Sequence, residues 1–372
     1  MFELADRMLG AAVEEGRVAG AAALVMVDGQ VVYHAVFGWS DREQRLPVAA
    51  TTTFQLRSVA KGVTAAAVLQ LVDEGALRLG QPVADVLPEF AARPIRSRPI
   101  LIRDLLSHVS GLPHGWDAAG ANRPGEWTEI SLAEEVAGIA ELPVVAEPGE
   151  AFVYSDLGYS VLGRLVEVVD GADFDDALRD RIFRPLGMHD TWLLPSADAA
   201  TRMAVTYQMT GGSIRRTDAE MIVRRRNPLP GAGLLSTAKD IGVFHEMMRL
   251  DGATADRRVL SPAAVSLATT IATGDLPRWP GAVGWPANWG LGWSVAGTAA
   301  VDLRGDLASV GSFWCPAVSG ARCWVDRSLR LVGVLLVHLF PAPERPWANQ
   351  WLGSTFTQII SAAVSSSQKA QQ

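Results

Sequence analysis

The chain has 372 residues, 49% of them hydrophobic and 20% charged, and a net charge of −7. Its length supports a sizeable core in two domains or in one large domain with an insertion, and its composition excludes a disordered chain. The acidic balance, with no basic stripe interleaved with aromatics, argues against nucleic acid as a partner.

Residues 2–15 carry an amphipathic helical pattern. Two β-rich runs then flank Asp28-Gly29, a hairpin signal because a type I′ turn requires positive φ at both central residues. Acidic residues near the start and the break at EEGR leave no basic segment followed by an apolar run, so no secretory signal is expected. No stretch reaches the ~18 apolar residues of a membrane span, and a cytoplasmic location is the expectation. The segment SVAKGVTAAAVLQLVDEG, from Ser58, opens a helix to about Glu74, with Gly75 as a left-handed cap.

From about residue 79 to 285 helical patterns alternate with Pro/Gly loops, and the basic run Arg224, Arg225, Arg226 reads as a solvated loop. β signal returns in WGLGWSVAG, SFWCPAVSGARCWVD and LRLVGVLLVHLF, and a last helix near 347–364 precedes a polar tail. Cys315 and Cys323 stand so that they can face each other over a hairpin, yet two cysteines form no disulfide framework; both are expected as buried free thiols. Neither has a metal-ligand spacing, and no cofactor or metal is expected. Strands at both ends around a helical middle predict an α+β fold: an antiparallel sheet built from both termini and flanked by helices, with an inserted, mostly helical lobe. Residues 1–80 and 286–372 form the sheet domain in this reading, 81–285 the helical one, with the active site between them.

Ser58 and Lys61 lie three apart, one helical turn from each other on one face, as a serine activated by an amine requires. Spacing alone decides nothing, because each of the three lysines, at 61, 239 and 369, follows a serine by three residues. The copy at 369 sits in the polar tail, and the copy at 239 follows Thr237 and precedes Asp240, a capping-box pattern. Only the first leads into a helix that is apolar nearly all round and therefore buried. Burial lowers a lysine pKa and favours a neutral amine able to take a proton, which arginine cannot do. The competing reading is a capping serine beside a surface lysine. Downstream, Tyr154, Ser155 and Asp156 end a loop and open an amphipathic helix, so the tyrosine hydroxyl can project from a helix entrance, with Asp156 a candidate N-cap.

In order along the chain, FQLRSVAKGVTAAAVLQLVDEGAL, LIRDLLSHVSGLPHG, GEAFVYSDLGYSVLG, IFRPLGMHDTWL, GAGLLSTAKDIGVF, WGLGW and WVDRSLRLVGVLLVH resemble the serine β-lactamase and penicillin-binding-protein superfamily, in its class C-like branch with the family VIII carboxylesterases. The resemblance spans roughly residues 15 to 360. It implies Ser58 as nucleophile, Lys61 as its activating partner and Tyr154 as the family's Tyr-x-Asn tyrosine, shuttling the proton. Asp156 stands where the family has Asn, which changes substrate contacts or the lysine charge balance. The family's third motif, Lys-Thr-Gly, His-x-Gly or Trp-x-Gly on the strand edging the site, falls near Cys315, Pro316 and Ala317, with Gly311, Ser312 and Phe313 as the shifted alternative. Trp314, Cys315, Ala317 and Val318 are thereby candidate substrate contacts, and the N–H groups of Ser58 and Val318 a candidate oxyanion hole. The missing Lys-Thr-Gly removes the cation that would hold a β-lactam carboxylate.

The resemblance therefore implies a serine hydrolase acting on a small-molecule ester or acyl donor; no membrane partner is expected, since no apolar stretch is long enough, and the oligomeric state is unassigned. A carboxylesterase on a bulky apolar or aromatic ester is favoured. The alternatives are an acyltransferase of the same fold, then a β-lactamase or D-amino-acid peptidase, then a non-catalytic binding homologue. His108 reads as a packing or loop-fixing residue rather than a base. Among Trp116, Trp127, Trp279, Trp285, Trp289, Trp293 and Trp314, two or three are candidates to wall an apolar acyl pocket.

Overall fold

The computed structural model describes residues 1–91, 97–126, 129–217, 225–274, 276–277, 288–297, 306–342 and 349–370. A seven-stranded sheet lies at its centre. Strands β1 (Gly20–Val27), β2 (Gln30–Asp41) and β3 (Leu46–Pro47) come from the N-terminal part, and β8 (Ser294–Val295), β9 (Phe313–Pro316), β10 (Arg322–Asp326) and β11 (Leu331–Val337) from the C-terminal part. Their order across the sheet is β3-β2-β1-β11-β10-β9-β8. Between the two groups in sequence lie β4 (Phe54–Gln55) and β7 (Leu235–Ser236), which pair with each other, and β5 (Tyr207–Thr210) and β6 (Ser213–Arg216). Antiparallel pairing of β1 with β11, from Ala21 opposite Val337 to Val27 opposite Leu331, joins the two ends of the chain. The expected α+β sheet from both termini is therefore present. Asp28 and Gly29 take φ of 50° and 78°, the two positive values a type I′ hairpin needs.

Strand alternation divides the interior into two cores. Ala22, Leu24 and Met26 of β1, Val332, Val334 and Leu336 of β11, and Phe313 and Cys315 of β9 face one of them. There they meet α2 (Ala60–Asp73) and the helix Ala238–Arg249. Ala21, Ala23, Val25, Trp314, Trp324, Leu335 and Val337 face the other, closed by α1 (Glu3–Glu14) and the long helix Gln350–Ala370. No described helix is long and apolar enough to cross a membrane.

Three local expectations are revised. The C-terminal helix runs to Ala370 and absorbs most of the tail read as polar and separate, with Gln368 donating to the carbonyl of Leu329; the expected start near 347 lies outside the described residues. The middle of the chain is not wholly helical, because β5 and β6 form a hairpin over Gly211-Gly212, both at positive φ, and β5 pairs with Leu339–Phe340. Arg225 is buried rather than solvated: its guanidinium donates to the carbonyls of Leu193 and Gly233, and burial lowers its pKa to about 9. Arg226 is exposed, and Arg224 lies outside the described residues.

Gly333 on β11 lies opposite Trp324, and a Cβ there would sit 2.1 Å from the indole ring. Gly333→Ala should destabilise the fold by about 1–3 kcal/mol through overpacking, outweighing the entropy gained by replacing glycine. Urea unfolding checks this; an unchanged midpoint would show that the indole can move aside.

Candidate active site

Short pairing of β4 with β7 delivers the chain into a 3₁₀ turn, Arg57–Val59, and then into α2. Ser58 lies in that turn, ahead of the helix, and caps nothing by its side chain; the hydroxyl is partly exposed. Eleven of the fourteen residues of α2 are buried, Lys61 completely so. The capping-serine reading is thereby excluded.

The Lys61 ammonium donates to three acceptors: the Ser58 hydroxyl at 3.2 Å, Asp156 Oδ1 at 2.5 Å and the carbonyl oxygen of Gly231 at 2.8 Å. The Tyr154 ring is 4.9 Å from Nζ, and its hydroxyl interacts with both Ser58 and Lys61. The structure thus brings Ser58, Lys61, Tyr154 and Asp156 into one cluster.

The amine is not neutral at rest, contrary to the sequence expectation. Burial does push the Lys61 pKa down, but the Asp156 carboxylate and the Tyr154 phenol outweigh it, and the net direction is upward. Asp156 in turn is disfavoured as an anion by burial yet held below the usual carboxylate range, chiefly by Lys61. Burial raises the Tyr154 phenol above its ordinary value.

The Tyr154 loop is fixed by hydrogen bonds that a run of small polar residues makes possible. Ser155, not Asp156, is the N-cap of the helix Asp156–Asp170, accepting from the Gly158 N–H at 3.0 Å. Its own hydroxyl donates to Pro113 O at 2.7 Å. Asp156 is free of capping duty, and its backbone N–H donates to the carbonyl of His114.

His108 accepts the Ser155 N–H at Nδ1, 3.0 Å, which places the ring proton on Nε2. Its ring stands 4.3 Å from that of Tyr154, and burial drives its pKa well below the ordinary value. A buried neutral ring of this kind holds the loop.

Three contributors escaped the sequence reading. Gly231, in a Pro-Gly-Ala-Gly turn, offers its carbonyl to Lys61, while Thr64 on α2 anchors the same turn by donating to Pro230 O at 2.7 Å. Exposed His114 meets the Tyr154 carbonyl at Nδ1, 3.2 Å. Only the Pro-Gly turn chemistry was visible in advance.

Strand β9 packs against the Ser58 turn, but it does not present the residues assigned to it. Trp314 points to the opposite face and is buried with Arg322 and Trp324, because residues alternate faces along a strand. Cys315 faces α2 beneath Gly62, wholly buried, with its thiol on Gly292 O. The Ala317 side chain is also buried. All three are corrected from substrate contacts to packing residues, leaving Val318 as the exposed one, and Gly311 is exposed while Ser312 and Phe313 are buried.

Cys315 and Cys323 are opposed in register as free thiols, with Cys315 pushed up to about 12 by burial. Pro316 lies beyond the two residues that β8 pairs, where a missing N–H costs no ladder bond.

Among the tryptophans, Trp289 packs edge-on to Tyr154 at 5.7 Å. Trp293 is core, stacked on Phe244, and Trp116 is partly buried with its indole on Glu135. Trp127, Trp279 and Trp285 lie outside the described residues. Among the described residues no cluster fit to hold a metal ion is present.

A mixed α+β fold of this kind, carrying a serine at the mouth of a buried helix, defines a serine hydrolase. The family model described as Beta-lactamase matches residues 5–352. Penicillin-binding protein 4 of Amycolatopsis lactamdurans is 36% identical over 308 residues, covering 80% of this chain and 77% of the relative. Esterase EstB of Burkholderia gladioli is 29% identical over 362 residues, covering 90% and 89%. In structure the chain is similar to EstCE1, a hydrolase with promiscuous acyltransferase activity, with a TM-score of 0.81 at 23% identity and 97% of each chain covered. The chain belongs to the beta-lactamase family of serine hydrolases.

Three histidines, His108, His245 and His338, are buried and have pKa values lowered by burial, His245 to about 4 and His338 to about 3. The stability of the neutral rings is complete above the unfolded value near 6.5 and is lost as pH falls from there toward the folded values. Urea unfolding should therefore show stability falling from pH 7 to pH 5, by about 2 kcal/mol for His245 alone. A flat profile would contradict the buried neutral assignment.

Proposed function

We propose that this chain is a carboxylesterase acting in the cytoplasm on a small-molecule ester with a bulky apolar or aromatic acyl part, through an acyl-enzyme on Ser58. The observation that carries the reading is the convergence on one partly exposed hydroxyl of a buried lysine 3.2 Å away and a tyrosine phenol. Ser58 attacks the ester carbon as its proton passes into the Lys61 and Tyr154 hydrogen-bond network, and Tyr154 returns a proton to the leaving alcohol. The Ser58 and Val318 N–H groups receive the oxyanion. Water then releases the acid.

Esters are favoured over β-lactams because β9, Phe-Trp-Cys-Pro, carries no cation for a carboxylate. The similarity to Esterase EstB supports the same choice. The edge-on contact of the buried Trp289 with Tyr154 supports an apolar surrounding for the acyl group. Transfer of the acyl group to an alcohol or amine is the second reading, favoured by the structural likeness to EstCE1 and its promiscuous acyltransferase activity.

Intact mass measured after brief exposure to an ester panel and a β-lactam tests this directly. Ser58→Ala should abolish the acyl adduct, and Tyr154→Phe should slow its formation by about 10²- to 10⁴-fold with Ser58 still labelled. Adducts should build fastest from aromatic or medium-chain esters. Equal turnover of acetyl and aromatic esters would contradict the apolar pocket, and product partition with an added alcohol separates transfer from hydrolysis.

A further inference from the structure

The Lys61 ammonium directs its N–H bonds to Ser58, Asp156 and Gly231, with the Tyr154 phenol also in contact, so no lone pair faces Ser58. For the Ser58 proton to be received, one N–H bond must first give up its proton. Of these neighbours, Ser58 is the group losing a proton, the Gly231 oxygen is a carbonyl that cannot retain one, and the Tyr154 phenol already carries its own. Asp156 Oδ1 remains, at 2.5 Å. It is also the end of the chain of groups that opens outward, since the Asp156 side chain is 42% exposed while Lys61 is sealed.

We propose that Asp156 is the terminal proton acceptor of acylation, with Lys61 as the conduit. This rests on the reading of Ser58 as nucleophile. As Ser58 Oγ forms its bond to the acyl carbon, the carbonyl π pair moves to oxygen, the serine proton passes to Lys61 Nζ, and Nζ passes one of its own to Asp156 Oδ1. The tetrahedral adduct then stands beside an intact ammonium and a carboxylic acid. Its collapse re-forms the carbonyl and breaks the bond to the leaving oxygen, which takes the Tyr154 proton. Tyr154 is replenished from Lys61 and Lys61 from Asp156, restoring the ion pair with no other reactant. An asparagine at 156 can donate to or accept from the lysine, but it cannot store the proton.

Asp156 faces Lys61, His114 and Arg57, and Lys61 also faces Tyr154, Tyr159, His108 and Cys315. Lys61 is raised and Asp156 lowered, so the pair keeps its charges from about pH 6 to pH 9. In Asp156→Asn the opposing carboxylate is gone, burial acts on Lys61 against the Tyr154 phenol alone, and the reaction depends on the fraction of neutral amine.

The test is the rate at which a fluorophosphonate probe labels Ser58, followed by mass across that range, with and without His114→Gln, which removes the neighbouring imidazole. The wild type should label at a pH-independent rate. Asp156→Asn should be slowest at pH 6 and climb by up to about tenfold per pH unit. Asp156→Glu, which keeps a carboxylate, should retain the flat profile and also serves if the asparagine variant fails to fold. A flat profile in Asp156→Asn, whatever its absolute rate, or a climbing one in Asp156→Glu, overturns the proposal, since a purely structural role changes rate equally at all pH. Labelling that survives Ser58→Ala instead overturns the nucleophile assignment itself, whatever Asp156 does.

Discussion

A buried ammonium with all three of its hydrogen-bond donors satisfied is the constraint around which this molecule is organised. Lys61 has no solvent contact, and a lone charge there would be expelled or neutralised. Asp156 and the Gly231 carbonyl keep it charged and aim it at Ser58. Removing the carboxylate leaves the buried charge stranded or drives it to neutrality. Four separate parts of the chain must therefore meet: the turn at Ser58, α2, the loop ending in Asp156 and the turn at Gly231.

The fold supplies that meeting from both ends of the sequence. Pairing of β1 with β11 closes the sheet, and the face it presents to α2 places Cys315 and the Trp293 ring against Gly62, one residue after the lysine. A Cβ at Gly62 would meet that indole at 2.6 Å, so the glycine lets α2 approach. On its other side α2 packs along the helix Asp156–Asp170, which carries Asp156 at its first turn. His108, neutral and buried, then sets the loop in which Tyr154 sits.

The sheet, the Ser58 helix and the Asp28-Gly29 hairpin were legible because each is written locally, as strand alternation, an all-apolar helix or a turn dipeptide. The Ser58 and Lys61 pair was legible only through context, since the same spacing occurs at every lysine of the chain. The charge of Lys61 was not, because it depends on a carboxylate 95 residues away. Trp314 and Cys315 failed for a different reason. An aligned motif identifies a strand, but which face each residue takes is fixed by register, and one position inverts it. Arg225 departs from the pattern because short basic runs are usually solvated, while here two carbonyls draw one guanidinium inward.

Asp156 makes of the site an ion pair, where a neutral lysine base was expected from the sequence. The family and the fold are shared with relatives. With only three lysines present, ¹⁵N labelling of lysine gives a spectrum in which Lys61 Nζ can be assigned by replacing Lys239 and Lys369 with arginine. The Lys61 signal should keep the chemical shift of an ammonium from about pH 6 to pH 9. Movement to the shift of a neutral amine within that range would contradict the ion pair.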